Sequence, residues 1–177
     1  MKKDDKLIIT INREFGSGGR EIAYKLGALL DIKVYDKQAL EAIEENLGVA
    51  NELPEKIYDI QKDILLNIAS KESCIIVGRT GFHIFRNHPN VVRVLLIADY
   101  NARVKHVSEK HGITKMNARK RIALVDKERE DYTLKYTGVS RYDARNYDFV
   151  LNVTNIPGYH VAAFLAQNVR MKFLKNL

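Results

Sequence analysis

The sequence KLIITINREFGSGGREIAYKLGALL, residues 6–30, joins an apolar run to a helical pattern through a glycine-rich loop. Leu7 to Ile11 are almost all apolar, as expected for a strand that is buried on both faces of a sheet. From Glu21 to Leu30 the apolar residues recur at helical spacing. A strand, a glycine-rich loop and a helix in this order predict the start of a β-α-β unit.

Further apolar runs continue this alternation along the chain. They are KVY from Lys33, CIIVG from Cys74, VVRVLLIA from Val91 and DFVLNV from Asp148. The helical patterns between and after them are Lys37–Leu47, Pro54–Ser70, Asn101–Lys110, Thr114–Tyr132 and about Pro157–Leu177. Strands that alternate with helices predict a parallel sheet covered on both faces. We therefore expect a three-layer, doubly wound α/β fold with five strands.

Size and charge favour one domain with an anionic partner. The chain has 177 residues, of which 46% are hydrophobic, and domains commonly span about 100 to 200 residues. We therefore expect residues 1–177 to form a single domain. Lys and Arg number 29 against 22 Asp and Glu, a formal charge of +7, which favours nucleotides, nucleic acid or acidic membranes. The charge alone does not choose among these partners.

Cysteine content and hydropathy argue against several classes of protein. Cys74 is the only cysteine, so an internal disulfide framework is excluded. No run approaches the roughly 18 apolar residues that cross a bilayer, and the first residues lack the apolar region of a signal peptide. We therefore expect a cytoplasmic protein without a membrane partner. The histidines lack the spacing of a zinc site, so we expect no dedicated zinc.

The glycine-rich loop is the clearest indication of a ligand. Backbone N–H groups that converge at the start of a helix bind anions, and glycines let them converge without Cβ clashes. Gly16, Ser17, Gly18, Gly19 and Arg20 stand at this point of the sequence. They predict a loop that holds phosphate groups, and a purely structural glycine turn is the alternative.

This loop departs from the standard phosphate-loop pattern G-x-x-x-x-G-K-[ST]. If Gly19 is its last glycine, Arg20 replaces the lysine and Glu21 replaces the serine or threonine. The first glycine is then replaced by Glu14. Arg20 keeps a permanent positive charge for phosphates. Glu21 offers Mg²⁺ a carboxylate ligand, although it also adds negative charge beside a polyphosphate.

Charged residues at the ends of two further strands extend this candidate site. Asp36 follows the second apolar run, and Arg79 follows the third, after Gly78. The carboxyl ends of parallel strands share one edge of the sheet, where open α/β sheets bind ligands. A strand end often carries a solvated charge, so each residue alone is a weak signal. Together with the glycine loop at the same edge, they favour a shared binding site.

The charged helix NARKRIALVDKERED, residues 117–131, precedes the second of two segments that we expect to be mobile. These segments are residues 48–55 and 133–147, and both are predicted to lie over the carboxyl ends of the strands as lids. Lys127 and Arg129 come just before the second segment and are candidates to close over a phosphate. A solvated helix face with internal ion pairs is the alternative.

Stretches in chain order resemble the cytidylate kinase-like family, a branch of the P-loop nucleoside monophosphate kinases. They are ITINREFGSGGREIAYKL, VYDKQAL, CIIVGRTGFHIF, VLLIADYNARVKHV, DKEREDYTLKYTG and NYDFVLNVT, and they cover nearly the whole chain. The resemblance implies a five-stranded parallel sheet of the P-loop NTPase type. It also implies ATP and Mg²⁺ as cofactors and phosphoryl transfer to a nucleoside monophosphate, above all CMP or dCMP.

The resemblance further implies roles for the residues singled out above. The expected roles are Gly16–Glu21 for the ATP phosphates and Mg²⁺, Asp36 and Arg79 for the acceptor, and Lys127, Arg129 and Arg20 for the transferred phosphate. Asp126, one helical turn before Arg129, would orient these cations or help to hold Mg²⁺ through water.

Two departures from the family pattern leave alternatives open. GVANELPE, residues 48–55, is nearly all that separates two helices, whereas family members carry a longer segment that covers the acceptor. The loop also lacks the lysine of true cytidylate kinases. A nucleotide-binding or sensor protein with weak catalysis is therefore the first alternative. A nucleic-acid-binding protein, motivated by the charge of +7, is the second.

Overall fold

A parallel sheet forms the centre of the fold in a computed structural model, which describes residues 6–49 and 51–173. Its strands are β1 (Ile8–Arg13), β2 (Lys33–Tyr35), β3 (Cys74–Val77), β4 (Val91–Ile97) and β5 (Phe149–Asn152). They lie in the order β2-β3-β1-β4-β5, and every pairing between neighbours is parallel. The predicted five-stranded parallel sheet is confirmed.

Helices cover both faces of this sheet, as the sequence predicts for a doubly wound fold. They are α1 (Gly19–Leu30), α2 (Lys37–Asn46), α3 (Pro54–Lys71), α4 (Gly81–Ile84), α5 (Tyr100–His111), α6 (Lys115–Thr137) and α7 (Gly158–Phe173), with a 3₁₀ turn at Ala144–Asn146. Within the described ranges, none of these helices has the length and apolar character needed to cross a membrane.

The central strand β1 shows why its sequence is apolar at consecutive positions. Ile9 and Ile11 pack in the cluster that α1 and α7 form on one face of the sheet. Ile8 packs on the other face, in the cluster that contains Leu40 of α2 and Leu65 of α3. Successive side chains of a strand point to opposite faces, so a strand covered on both sides carries apolar residues at adjacent positions.

The topology places the loop after β1 at a reversal in strand order. From β1 the chain first builds β2 and β3 on one side of it and then β4 and β5 on the other. In open α/β sheets, ligands bind in the crevice at the carboxyl ends of the strands where the order reverses. The glycine-rich loop, residues 14–18, lies at this crevice.

The end of α6 differs from the sequence prediction. The helix continues to Thr137 rather than Tyr132, so the first part of the segment predicted as a mobile lid, residues 133–137, is helical. Tyr136 stacks on Tyr58 of α3, with ring centroids 4.3 Å apart. Gly138, with φ of 70°, then ends the helix in the left-handed conformation. Contacts with a helix distant in sequence therefore extend α6.

Smaller differences concern short elements and chain segments. Neither α4 nor the 3₁₀ turn was predicted, because four and three residues are too few to show a period. In the other proposed lid, residues 48–55, the backbone of α3 already begins at Pro54, and Ala50 lies outside the described residues. The last helix, α7, extends to Phe173, and residues 174–177, which were predicted to belong to it, lie outside the described residues.

Candidate active site

The loop between β1 and α1 is shaped by glycines in a left-handed conformation. Gly16 and Gly18 have φ of 87° and 77°, which L side chains rarely adopt. A Cβ on Gly16 would also lie only 2.8 Å from Cγ2 of Val107 in α5. Gly18 is the N-cap of α1 and offers no side-chain cap to the first N–H groups of the helix. These N–H groups remain available to an anion in front of the loop.

Acidic residues fix this loop to α5 and α6 from behind. The N–H of Phe15 donates to Oδ1 of Asp126 at 2.8 Å, and Arg103 Nη1 binds Oδ2 of the same carboxylate at 2.6 Å. Arg103 Nη1 also donates to the carbonyl of Phe15 at 3.2 Å. Glu14 accepts from the N–H of Ala98 at 2.9 Å and lies 3.5 Å from Nε of Arg103. The position of the loop is therefore set by charged groups that are largely buried.

Four arginines crowd the edge of the sheet beside this loop: Arg13, Arg79, Arg129 and Arg141. Arg129 Nη1 donates to the carbonyl of Arg13 at 3.3 Å, and Arg141 Nη2 donates to the same carbonyl. Burial, and then the charges of Arg129, Arg141 and Arg79, lower the pKa of Arg13 to about 9. Burial and then the charge of Arg141 lower the pKa of Arg129 to about 10. Such a crowd of cations favours a bound anion.

Arg141 is the most buried of these arginines. Its side chain is 1% exposed, and Nη2 donates to Oδ1 of Asn12 at 3.2 Å. Nη1 lies 4.0 Å from Oδ1 of Asp126, an ion pair without hydrogen-bond geometry. Within the described residues, Nε and Nη1 of Arg141 have no hydrogen-bond partner. Buried donors without partners are rare in proteins, so they point to a ligand at this edge.

Two cavities adjoin at this arginine cluster. The first, of about 210 Å³, lies between the glycine loop and α5. The second, of about 290 Å³, lies between the ends of β1 and β3 and the helix α6. Arg13 and Arg129 line both cavities. A group that passes from a ligand in one cavity to a ligand in the other would therefore pass these two guanidinium groups.

A third cavity, of about 280 Å³, lies on the far side of the glycine loop. It shares Gly16, Gly18 and Glu21 with the first cavity and extends to the segment 153–156 after β5. Ser17 lines this third cavity rather than the first, and its hydroxyl donates to the carbonyl of Glu14 at 2.9 Å. The three cavities thus form a continuous set around the loop.

Arg20 lines the first cavity, but its guanidinium is directed to Asp36. Nε of Arg20 lies 2.5 Å from Oδ2 of Asp36, and Nη2 donates to Gln38 at 2.6 Å. Half of the Arg20 side chain is exposed. Asp36 is buried and caps α2 by accepting from the N–H of Ala39 at 3.0 Å. Burial acts to raise the pKa of Asp36, yet this hydrogen bond and the charge of Arg20 hold the pKa below its usual range.

The two proposed metal-binding carboxylates both have cationic partners. Glu21 lines the first cavity and binds Lys110 Nζ at 2.5 Å, a hydrogen bond that lowers the pKa of Glu21. Asp126 binds Arg103, as described above. Over residues 6–49 and 51–173, no group of three or more His, Cys, Asp or Glu side chains could hold a metal ion. A metal here would need phosphate oxygens and water as its remaining ligands, which is how Mg²⁺ commonly binds.

The structure separates Lys127 from Arg129. Nζ of Lys127 lies 2.5 Å from Oδ2 of Asp131, its side chain is 73% exposed, and it lines neither of the two adjoining cavities. Residues two positions apart on a helix face different directions, which explains the difference. The predicted neighbourhood of Asp126 and Arg129 is present, with 4.0 Å between Oδ1 and Nη1.

Arg79 lines the second cavity together with polar residues of α6, and it contacts α3. Its Nη1 donates to Oε1 of Gln61 at 3.3 Å, and its Nη2 lies 3.9 Å from Glu41. Gln61 is buried and also accepts from the hydroxyl of Tyr132 at 3.4 Å. Asp36 does not line this cavity. The structure therefore brings one of the two predicted acceptor residues to the second cavity.

Sequence reasoning missed several residues of the site. Arg13 ends β1 at the ligand edge, so the argument used for Asp36 and Arg79 could have found it. Arg141 lies in the segment 133–147, whose arginines were visible but whose burial was not. Gln61 had no signal beyond a polar position within the apolar stripe of α3.

Comparisons with known proteins agree with this geometry. The profile of the cytidylate kinase-like family matches residues 8–56 and 50–155, two blocks that overlap around the start of α3. No curated protein matches the sequence. A structure of an uncharacterized protein from Eubacterium ventriosum is 26% identical, with a TM-score of 0.83, over 93% of this chain and 98% of that one.

Two solved kinases share the fold at lower identity. A shikimate kinase from Bacteroides thetaiotaomicron is 9% identical, with a TM-score of 0.62, over 96% of this chain and 99% of that one. A gluconokinase from Sinorhizobium meliloti is 11% identical, with a TM-score of 0.52, over 97% of this chain and 99% of that one. The fold is thus that of the P-loop kinases, and the family match supports nucleotide-dependent phosphoryl transfer in general. With most of its length matched by the family profile, the chain belongs to the cytidylate kinase-like family.

Proposed function

We propose that the protein transfers the γ-phosphoryl group of ATP to a nucleoside monophosphate, with CMP or dCMP as the acceptor. The observation that carries this proposal is the pair of adjoining cavities with Arg13 and Arg129 in the lining of both. Phosphoryl transfer requires positioning and charge neutralisation, with little covalent work by the protein. A cleft with two ligand cavities and shared cations suits that reaction. The choice of acceptor rests on the family resemblance.

The ATP phosphates are proposed to bind the backbone N–H groups of Gly16 to Gly19 and the start of α1. The uncapped helix start and the left-handed glycines support this placement. The adenosine part would then occupy the third cavity, since it shares its loop glycines with the first. This arrangement directs the γ-phosphate to Arg13 and Arg129.

Glu21 is the residue proposed to hold Mg²⁺ at the ATP phosphates. Mg²⁺ is commonly bound by one or two carboxylates together with phosphates and water, so a single carboxylate at this cavity fits the ion. When bound, the ion neutralises negative charge on the phosphates. Lys110, which is about half exposed, would have to release Glu21. Asp126 has both oxygens bound, which fits the role of orienting Arg103 and Arg129.

Arg20 and Lys127 are proposed as further cations for the transferred phosphate, and each can be tested alone. Arg20 must give up Asp36, and Lys127 must give up Asp131, before either reaches a ligand. We expect Arg20→Ala to weaken ATP binding and Lys127→Ala to lower kcat, roughly tenfold each, the effect of about 1.4 kcal/mol. Unchanged ATP affinity would remove Arg20 from the site, and unchanged kcat would remove Lys127.

The acceptor is proposed to occupy the second cavity, with its phosphate bound by Arg79. The volume of about 290 Å³ lies just below the roughly 300–1,000 Å³ usual for ligand pockets, which suits a small anionic acceptor. Asp36 does not line this cavity, but its chain neighbour Lys37 does, and Asp36 is proposed to hold the acceptor nucleotide once Arg20 moves away.

ADP release from Mg·ATP, measured in a coupled assay with each common nucleoside monophosphate and with none, tests this function. Stimulation by CMP or dCMP alone supports the proposal, and stimulation by another monophosphate corrects the acceptor. If no acceptor stimulates release but ATP raises the melting temperature, the protein is a nucleotide-binding sensor. Absence of ATP binding, with RNA or DNA binding that weakens steeply with salt, would favour the nucleic-acid alternative. Arg129→Gln should abolish any stimulation.

A further inference from the structure

The start of α1 fixes how this loop corresponds to the standard phosphate-loop pattern. Gly18 is the left-handed residue that caps α1, and Gly19 is the first residue of the helix. If the second glycine of G-x-x-x-x-G-K-[ST] is placed on Gly18, the first glycine corresponds to Arg13, the last residue of β1. The lysine then corresponds to Gly19. The chain has thus an arginine where the pattern has glycine and a glycine where it has lysine.

The side chain of Arg13 fills the space that these exchanges create. A Cβ on Gly19 would lie 2.7 Å from Cβ and 2.8 Å from Cγ of Arg13, too close for both to be present. A Cβ on Gly78, at the end of β3, would overlap Nη1 of Arg13. The arginine side chain therefore passes over Gly19 and reaches its guanidinium to Gly78. An arginine in this path and a side chain at position 19 exclude each other.

The guanidinium of Arg13 has no partner that would give it a structural role. Within residues 6–49 and 51–173, it makes no hydrogen bond or ion pair, and it lines both adjoining cavities. Its charged neighbours are Arg79, Arg129 and Arg141, together with the more distant charge of Asp36. A cation held among cations is unfavourable for the empty protein, and a phosphate between them would relieve the repulsion.

We propose that Arg13 is the cation that contacts the transferred phosphoryl group, in place of the lysine that a standard phosphate loop supplies from the start of the helix. This inference rests on the proposed function, since it names the residue that acts at the junction of the two cavities. Arg13 would bind the γ-phosphate oxygens as the bond to the ADP oxygen breaks and the bond to the acceptor oxygen forms. The attacking atom is a phosphate oxygen of the acceptor, which is already ionised near neutral pH, so no proton has to leave it.

Arg13→Gln tests the contact directly, because it removes the charge and the guanidinium but keeps a polar side chain at this position. We expect kcat to fall about 10²-fold or more, the usual loss for a group that stabilises charge in the transition state. Arg170→Gln is the matched control, since Arg170 is exposed and donates to the carbonyl of Leu29 at the opposite end of α1. The control should keep kcat within about twofold, as expected for a surface substitution.

A pair of exchanges separates a chemical role of Arg13 from a packing role. Gly19→Lys alone should lower kcat about as much as Arg13→Gln, because the new side chain collides with Arg13. Arg13→Gly alone should also lower kcat, because it removes the guanidinium. The double variant Arg13→Gly with Gly19→Lys restores the standard pattern, and we expect it to exceed Arg13→Gly at least tenfold in kcat. No recovery in a folded double variant would contradict the proposal.

Binding measurements keep the inference testable if the proposed transfer reaction itself fails. Calorimetry with Mg·ATP, inorganic tripolyphosphate and adenosine would be run on the unsubstituted protein and on Arg13→Gln. We expect the substitution to weaken both phosphate-bearing ligands about tenfold or more, the usual loss of a charge-assisted hydrogen bond, and to leave adenosine unchanged. An active protein in which Arg13→Gln changes neither kcat nor these affinities would overturn the inference and leave the proposed function standing.

Discussion

Asp126→Asn is expected to destabilise the protein, because Asp126 joins α6 to both the glycine loop and α5. The carboxylate accepts from the N–H of Phe15 at 2.8 Å and from Arg103 Nη1 at 2.6 Å. The side chains of Asp126 and Arg103 are 13% and 9% exposed, so solvent screens the pair little. Removing one partner of a buried pair costs about 3–5 kcal/mol. Glu14, 3.5 Å from Nε of Arg103, retains part of the attraction, so we expect the lower end, about 3 kcal/mol.

Urea unfolding measures this loss of stability, with Asp131→Asn as the matched control. Asp131 lies on the same helix but pairs with Lys127 at the surface, where such pairs contribute about 0–1 kcal/mol. The expected difference of about 3 kcal/mol corresponds to a melting temperature roughly 6–12 °C lower for Asp126→Asn. If the two variants differ by less than about 1 kcal/mol in the free energy of unfolding, the buried anchor does not exist as described.

Three other substitutions or treatments test separate parts of the structure. Gly78→Ala adds a Cβ at φ of 79°, where Nη1 of Arg13 lies. We therefore expect the free energy of unfolding to fall by about 1–2 kcal/mol and phosphoryl transfer to become at least tenfold slower. An unchanged rate of phosphoryl transfer would show that Arg13 does not act in the reaction. The pKa of Asp36 is held below 3.8, so its stabilisation is complete above that pH and is lost as the pH falls through the folded pKa. Below about pH 4 the stability of the unsubstituted protein should therefore fall faster than that of Asp36→Asn, and parallel curves would contradict this account. Burial raises the pKa of Cys74 to about 12. Iodoacetamide at about pH 8 should therefore label this thiol only after the protein unfolds. Rapid labelling of the folded protein would show instead that the thiol is accessible.

The sheet could be predicted from sequence because both of its faces are covered. β1, β3 and β4 each contain apolar residues at two or more consecutive positions, and this pattern is local in the sequence. The end of α6 could not be predicted in the same way. Its last turn is held by the stacking of Tyr136 on Tyr58, residues that are distant in the chain.

The candidate site likewise has a part that is local in sequence and a part that is not. The glycine loop is visible in the sequence because its backbone conformation demands glycine at particular positions. The arginine cluster is not, because its members come from a strand end, two loops and a helix. Arg20 is an example. Its position next to the glycines predicted a contact with the phosphates, but its guanidinium binds Asp36, which follows the next strand.

Equilibrium binding of ATP, ADP, AMP and adenosine tests most directly whether the glycine loop and the arginines bind phosphate. Calorimetry in the presence of Mg²⁺ would give the affinity of each ligand. The arrangement of N–H groups and guanidinium groups predicts that affinity rises with each added phosphate, by roughly tenfold or more for a charge-assisted contact. Adenosine binding as tightly as ATP, or no ATP binding at all, would contradict the account.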